Sequence, residues 1–411
     1  MRLLQLLATA ACLLALSCGH RAANPLPDPY PPPTASPYTA ELNQAARAVV
    51  AGMDDDTLAG QVIMTGVGGR GRLDDANSRY LEELKPGAIL LFRFNVPAKP
   101  LELRPFADQV ASAAGGLRAF VAIDHEGGDV FRFGAGVTRL PSAAVLGSGG
   151  PDAAEAAGRA AGTELAALGV TLNLAPVAEA LDDHNRAFLG TRAFSTGPLE
   201  SGSLAWAFLH ACQDAGTAGA LKHFPGNAGA DPHHGLPVIS ATGAELKARY
   251  AVPFMAALRA RPAAVVLSHA VVAGLDPETP ATLSAPVILA LKRVLGFDGI
   301  VLTDDLVMGA LGGEGSVGAT AVRALNAGAD MLMVSGGRPA LASRDAILGA
   351  LADGTLPRAR LEDAAFRVVR EKLRFGSDSP TGTLDGASFQ AMVARNRAAL
   401  DAALQPESAA Q

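Results

Sequence analysis

Cysteine is nearly absent from this chain: 411 residues contain three, and Cys12 and Cys18 fall within the first eighteen. Cys212 is left alone in the body, so no internal disulfide and no zinc site of the cysteine type can be built there. A basic excess is also missing. Lys and Arg number 34 against 40 Asp and Glu, a formal charge of −6 that offers no footprint for nucleic acid. No sequence repeat of about 20–50 residues is visible, which argues against a solenoid. Aromatic residues make up only 5%, while Gly and Ala are abundant, a balance that suits tight packing of helices on strands. With 49% apolar and 18% charged residues the composition is that of a globular protein, long enough for one large domain or two ordinary ones.

The N-terminus is different material. "MRLLQLLATAACLLALSC" has one basic residue, Arg2, then an uncharged, mostly apolar run to Ser17. That run is shorter than the roughly 20 apolar residues a transmembrane helix needs, and it reads as the core of an export signal. Its end, "LALSC", resembles a bacterial lipobox, in which small residues precede a cysteine that becomes lipidated. Ala15 stands where Leu is commonest, and an ordinary cleaved signal is the alternative. Cys18 is thus the expected lipidation site, with a lipid anchor as the only membrane contact, on the periplasmic or cell-surface face of a bacterial membrane. "AANPLPDPYPPPTASPYT" then reads as an extended, semi-rigid linker. The expected organisation is a signal over 1–18, a Pro-rich linker over 19–39, a folded domain over 40–375 and a helical tail over 376–411.

From about residue 60, short β-type runs alternate with helical patterns. The strand candidates are 61–66, 87–92, 118–124, 170–176, 218–224, 263–269, 299–305 and 330–336. Most are near-continuous apolar runs without strict alternation, as expected of parallel strands covered on both faces. Helical patterns such as "DAAEAAGRAAGTELAAL" and "SAPVILALKRVL" lie between them. Eight strands with interposed helices predict an α/β fold, a single (β/α)8 TIM-type barrel, with an open doubly wound sheet as the alternative.

Active sites of such barrels gather at the C-terminal strand ends. Here those ends read Asp124-His125-Glu126, Pro176 to Glu179, Lys222-His223, Ser268-His269 and Asp304-Asp305. Beyond Lys222-His223 the stretch "LKHFPGNAGADPHHGLP" (221–237) holds one lysine, three histidines and an aspartate among Gly and Pro residues that enforce a loop. By residue type alone, such a loop suits a metal site, an acid/base site or a solvated surface.

The motifs carry a resemblance. "KHFPG…DPHHGLP" resembles the "KHFPGHG…DSHxxLP" signature of glycoside hydrolase family 3, in its bacterial β-N-acetylglucosaminidase branch. "AIDHEGGDVFRF" is similar to the family's "DQEGGRVxRL", "ELAALGVTLNLAPVAE" to "ELxALGINxNFAPVxD", and "LGTRAFS" to "IGxRSFG". "PATLSAPVILALKRVLGFDGIVLTDDLVMGAL" is similar to the family's closing stretch almost throughout. The likeness runs from about residue 45 to 375. It implies a barrel that removes terminal β-linked N-acetylglucosamine from cell-wall-type saccharides with retention of configuration. It implies Asp304 as nucleophile and, on the mobile loop, His233 as acid/base paired with Asp231. His234 is then an extra loop histidine, and Asp305 fits an N-cap of a following helix. Asp124, Arg132, Arg192, Lys222 and His223 match sugar-binding positions. For Lys222 and His223, pairing with strand-end carboxylates is the alternative; for His269, ligand contact and simple packing stand side by side.

No cofactor and no metal are implied; the loop has no H-E-x-x-H or cysteine pair to support zinc. The expected partner is a saccharide, with no nucleic acid, and the protein is expected to be a monomer. The sequence departs from the family pattern in three places. Asn227-Ala228 stands for His-Gly with a loop two residues shorter to Asp231, Asp129 replaces an arginine, and Glu179 stands where Asp is usual. Two other readings remain: a non-catalytic cell-wall-binding lipoprotein on the same barrel, or a β-glucosidase or xylosidase of the same family. The intact Asp304, Asp231 and His233 set speaks against the first. The Asp-x-His pair speaks against the second, because those relatives usually draw the acid/base from a further domain.

Overall fold

The computed structural model describes residues 36–115, 117–231, 235–308, 311, 317–376 and 384–405. The expected signal, Cys18, most of the linker, His233 and His234 lie outside them. Eleven strands are present among the described residues. They are β1 (Ile63–Gly66), β2 (Ala88–Leu91), β3 (Phe120–Ile123), β4 (Leu172–Asn173), β5 (Ala218–Phe224), β6 (Val238–Ile239), β7 (Ala264–Leu267), β8 (Val271–Val272), β9 (Asp276–Pro280), β10 (Ile300–Thr303) and β11 (Leu332–Val334). Eight of these form one parallel sheet in the order β10-β7-β5-β4-β3-β2-β1-β11. A bridge between Leu302 and Met331 joins its two ends, reinforced by Thr303 N donating to Met331 O at 3.0 Å. The order around the ring is the chain order, and helices cover the outside. The fold is a (β/α)8 barrel, and all eight expected strands contribute to it.

Strand alternation explains why the runs look uniformly apolar. Ala88, Leu90, Phe120, Ala122, Ala218, Ala220, Val266, Ile300 and Leu302 point into the barrel, where Met64, Met331 and Met333 fill the remaining space. Their neighbours Ile89, Leu91, Val121, Ile123, Leu221, Val265 and Val301 face the helices. Both faces are buried, so both must be apolar. The Ala- and Gly-rich helix Gly150–Ala167 packs against helix Pro198–Asp214 at van der Waals closeness. A Cβ at Gly158 would lie 2.0 Å from Phe208 O, so only glycine permits this crossing.

Thr39 caps helix Ala40–Ala51 by accepting from Leu42 N at 3.1 Å. The tail helix is not free. Helix Gly386–Leu404 buries Phe389, Val393 and Leu400, and its Asn396 donates to Glu164 Oε1 at 2.8 Å. Buried Glu164 also accepts from Thr138 N at 2.8 Å and Thr138 Oγ1 at 2.6 Å, so one carboxylate ties the tail to the barrel wall. A small sheet, β6-β8-β9, was not expected; it lies beyond β5 and β7 and anchors the far end of the histidine-bearing loop. No helix among the described residues is long and apolar enough to cross a membrane.

Candidate active site

A cavity of about 250 Å3 opens at the C-terminal ends of the barrel strands. Asp124, Glu126, Arg132, Arg192, Lys222, His223 and Asp304 line it, above an apolar floor of Leu174, Val266 and Met333. Six of the eight expected catalytic and sugar-binding residues therefore meet in one place. Lys222 organises the group. Its Nζ donates to Asp124 Oδ1 and Glu126 Oε1, both at 2.7 Å, reaching across the two-residue β4. Arg192 grips Glu126 with two parallel bonds, Nε to Oε2 at 2.9 Å and Nη2 to Oε1 at 2.8 Å. Arg132 Nη2 donates to Asp124 Oδ2 at 3.2 Å.

Glu126 was not singled out from the sequence, although "DHEGG" contains it. It is the hub between Lys222 and Arg192, and its acceptor sites are spent on them. Burial opposes the charged form of Glu126, but Lys222 and Arg192 outweigh it and hold the carboxyl well below its ordinary range. Burial likewise opposes charge on Asp124, and Lys222 and Arg132 again win, so its pKa is lowered. Burial works against the Lys222 ammonium too, yet Asp124 and Glu126 raise its pKa. All three groups are charged across the neutral range, and Asp124 keeps lone pairs for sugar hydroxyls.

Asp304 stands apart from this network. Its backbone N–H donates to Leu267 O at 3.2 Å, extending the β10–β7 ladder to the cavity edge. Its Oδ1 accepts from Asp305 N at 2.9 Å, and among the described residues no cation pairs with it. Of the three carboxylates that line the cavity, Asp304 alone has no cation partner among the described residues. Residues 306–308 form a turn after Asp305, and the segment where a following helix would begin lies largely outside the described residues. Asp305 Oδ1 accepts from Val307 N and Ser335 N, each at 3.2 Å, and burial raises its pKa.

His223 is pinned by Glu179. Its Nδ1 donates to Glu179 Oε1 at 2.7 Å, its backbone N to the same oxygen at 3.1 Å, and Phe188 packs at 5.5 Å between ring centres. His223 lines the cavity, and among the described residues its Nε2 makes no hydrogen bond. Glu179 also accepts from Asn227 N at 2.7 Å and Asn227 Nδ2 at 3.2 Å. Two of the three departures thus touch one another and join the root of the loop to the cavity wall. The third, Asp129, is exposed, accepts from Thr191 Oγ1 at 3.3 Å and does not line the cavity. For Lys222 and His223 the pairing and ligand readings coexist, since carboxylates hold both at the cavity surface.

Two histidines serve the scaffold. His269 is fully buried, with Nδ1 2.7 Å from Thr282 Oγ1 and Nε2 donating to Asp305 O at 3.0 Å, so packing and not ligand contact accounts for it. His125, between Phe131 and Phe133, is pushed down to about 3 by burial and then by Arg132 and Arg139, and stays neutral. Asp231 is half-buried on the loop and does not line the cavity; its carbonyl accepts from Gly235 N at 2.9 Å. His233 and His234 lie between those two residues, outside the described set.

The chain matches the model of the glycosyl hydrolase family 3 N terminal domain over residues 55–371. It belongs to glycoside hydrolase family 3. A beta-hexosaminidase of Methylococcus capsulatus is 36% identical over 290 residues, which is 69% of this chain and 85% of that protein. Among solved structures, a family 3 beta-N-acetylglucosaminidase from Paenibacillus superposes with a TM-score of 0.79 at 30% identity, over 84% of this chain and 68% of the other. A beta-N-acetylhexosaminidase from Beutenbergia cavernae gives 0.69 at 28% identity, over 77% of this chain and 98% of the other. The family 3 barrel thus carries a cation-rich cavity in which, among the described residues, one carboxylate has no cation partner.

Proposed function

We propose that this protein is a retaining β-N-acetylhexosaminidase that releases terminal β-linked N-acetylglucosamine from cell-wall-type saccharides such as peptidoglycan fragments. The observation that carries this is the contrast between Asp304 and the two paired carboxylates beside it. A nucleophile must be free of a tight cation and rigidly held. Among the described residues no cation pairs with Asp304, and it directly follows β10, where its backbone extends the ladder to β7. In the first step an Asp304 oxygen bonds to the anomeric carbon while the glycosidic C–O bond breaks, and His233 gives its proton to the departing oxygen. In the second, water attacks the anomeric carbon, His233 takes the water's proton, and the Asp304 ester bond breaks. Asp231 orients the imidazole and stabilises its cation. Asp124, Arg132, Arg192, Lys222 and His223 bind the sugar's hydroxyl and acetamido groups.

The test compares two aryl glycosides. The protein is expected to release phenol from an aryl β-N-acetylglucosaminide at least about a hundredfold faster than from the β-glucoside, the discrimination expected of a site built to hydrogen-bond a polar substituent. Release from neither substrate overturns the proposal in favour of a non-catalytic saccharide binder. Faster release from the glucoside moves the specificity within the family.

The same reading places the enzyme outside the cytoplasm on a lipid tether, from "LALSC" and the Pro-rich segment that follows it. Cys18→Ala is expected to shift the protein from the membrane to the soluble fraction on cell fractionation. A protein that is soluble with Cys18 intact removes the anchor from the proposal.

A further inference from the structure

Among the described residues of this aromatic-poor chain, one aromatic side chain is exposed: Phe94, at 53%. It sits on the rim that carries the catalytic cavity, in the turn that follows β2. Phe92 lies beneath it, with ring centres 5.7 Å apart and planes inclined by 12°. The turn is fixed from several sides. Buried Asn95 accepts from Phe92 N at 2.9 Å and donates to Val67 O at 2.9 Å and Gly69 O at 2.8 Å. Arg70 Nε donates to Phe94 O at 2.7 Å. The exposed ring is therefore held in a fixed position by backbone hydrogen bonds and by the ring beneath it.

The two rings wall a second cavity of about 380 Å3, at the ends of β1, β2 and β11, together with Tyr80, Asn77 and Ser335. Gly66 keeps its base open: a Cβ there would lie 2.7 Å from Ser335 O and 3.1 Å from Phe92. This cavity and the catalytic one draw on the same strand, β11, and its end. Met333 of β11 lines the catalytic cavity and Ser335, two residues on, lines this one. Ser335 N donates to the carboxylate of Asp305, the neighbour of Asp304. Phe92 packs against the inner-barrel cluster that includes Leu174, Val266 and Met333, the floor of the catalytic cavity.

We infer that Phe94, backed by Phe92, is the platform for the sugar on the leaving-group side of the scissile bond. The occupant is a pyranose ring. Its axial C–H groups carry slight positive charge and are drawn to the negative face of an aromatic ring. Its rim hydroxyls meet Ser335 and the remaining lone pairs of the Tyr80 hydroxyl, which also bonds Thr65 Oγ1, and of Asn77 Oδ1, which also accepts from Gly68 N. This rests on the proposed hexosaminidase activity and adds a specificity-determining residue for it. Binding energy from this remote ring reaches the reacting centre by holding the glycosidic oxygen in line with Asp304.

The experiment compares N,N′-diacetylchitobiose, whose leaving group is a sugar, with β-N-acetylglucosaminyl fluoride, whose leaving group has no ring. Phe94→Ala is expected to lower kcat/KM for the disaccharide about fivefold, in line with the loss of one aromatic contact, and to leave the fluoride unchanged. Phe94→Trp restores or exceeds the disaccharide rate. Unchanged disaccharide cleavage in Phe94→Ala, or an equal loss on both substrates, overturns the platform alone. A native enzyme that cleaves the fluoride but not the disaccharide also overturns it, and one that cleaves neither removes the hexosaminidase reading together with the platform.

Discussion

Asp304→Ala is expected to reduce turnover of an aryl β-N-acetylglucosaminide by at least about 10⁴-fold, the scale at which enzymes lose a covalent nucleophile. Folding should survive. Asp304 is partly exposed, pairs with no cation among the described residues and holds one hydrogen bond to its own neighbour. Removing such a side chain typically changes stability by no more than about 0.5 kcal/mol, so Tm should move by about a degree or two. A 2-fluoro sugar with a good leaving group should label the native enzyme, and the added mass should map to Asp304. Label on Asp305 would reverse the assignment. That outcome conflicts with the geometry, because Asp305 already spends Oδ1 on Val307 N and Ser335 N, and burial favours its neutral form. No label on either residue, with turnover retained in Asp304→Ala, removes the covalent mechanism.

The contrast between these adjacent aspartates shows where sequence reading stops. The eight barrel strands were legible because parallel strands covered on both faces need unbroken apolar runs, and Val-, Ile- and Ala-rich segments supplied them. The polar residues that end those runs named the face of the site, and Asp124, Arg132, Arg192, Lys222, His223 and Asp304 do converge there. Their partners were not legible. Nothing in "DHEGG" says that Glu126, not Asp124, takes both Lys222 and Arg192, because the choice depends on where β5 and the turn around residue 192 place those cations in space. Nor does a one-residue step from Asp304 to Asp305 reveal which carboxylate faces the cavity and which turns back to Ser335. The tail helix was visible by its pattern, but its docking depends on Glu164, more than two hundred residues away. Glu179 and Asn227 each looked like an isolated departure; bonded to each other and to His223, they form one unit.

Removing the imidazole of His233 should produce a loss that depends on the leaving group. General acid assistance contributes roughly 10²–10⁴-fold, and it matters most when the departing oxygen is a poor leaving group. His233→Ala is therefore expected to slow cleavage of a disaccharide by about that factor. Release of an acidic phenol should be slowed far less in the glycosylation step, with the remaining loss in deglycosylation, where the base is missing. Asp231→Ala should give a milder version of the pattern, since its carboxylate only orients and tunes the ring, and His234→Ala should change little. The pH profile adds an independent readout. A general acid works while protonated, so kcat/KM for the disaccharide should fall as pH rises through the range of an imidazole, about 6.5 when unperturbed. The carboxylates of Asp124 and Glu126 have lowered pKa values and the Lys222 amine a raised one, so none of these three titrates in that window, and His125 remains neutral through it. The descending limb should accordingly vanish in His233→Ala. If it persists there, a different group carries it. If His234→Ala shows the leaving-group dependence and His233→Ala slows both substrates equally, the loop, two residues shorter than the family pattern, has moved the role by one position. If neither histidine shows it, the loop does not supply the proton, and the non-catalytic reading of the barrel gains the ground that the hexosaminidase reading loses.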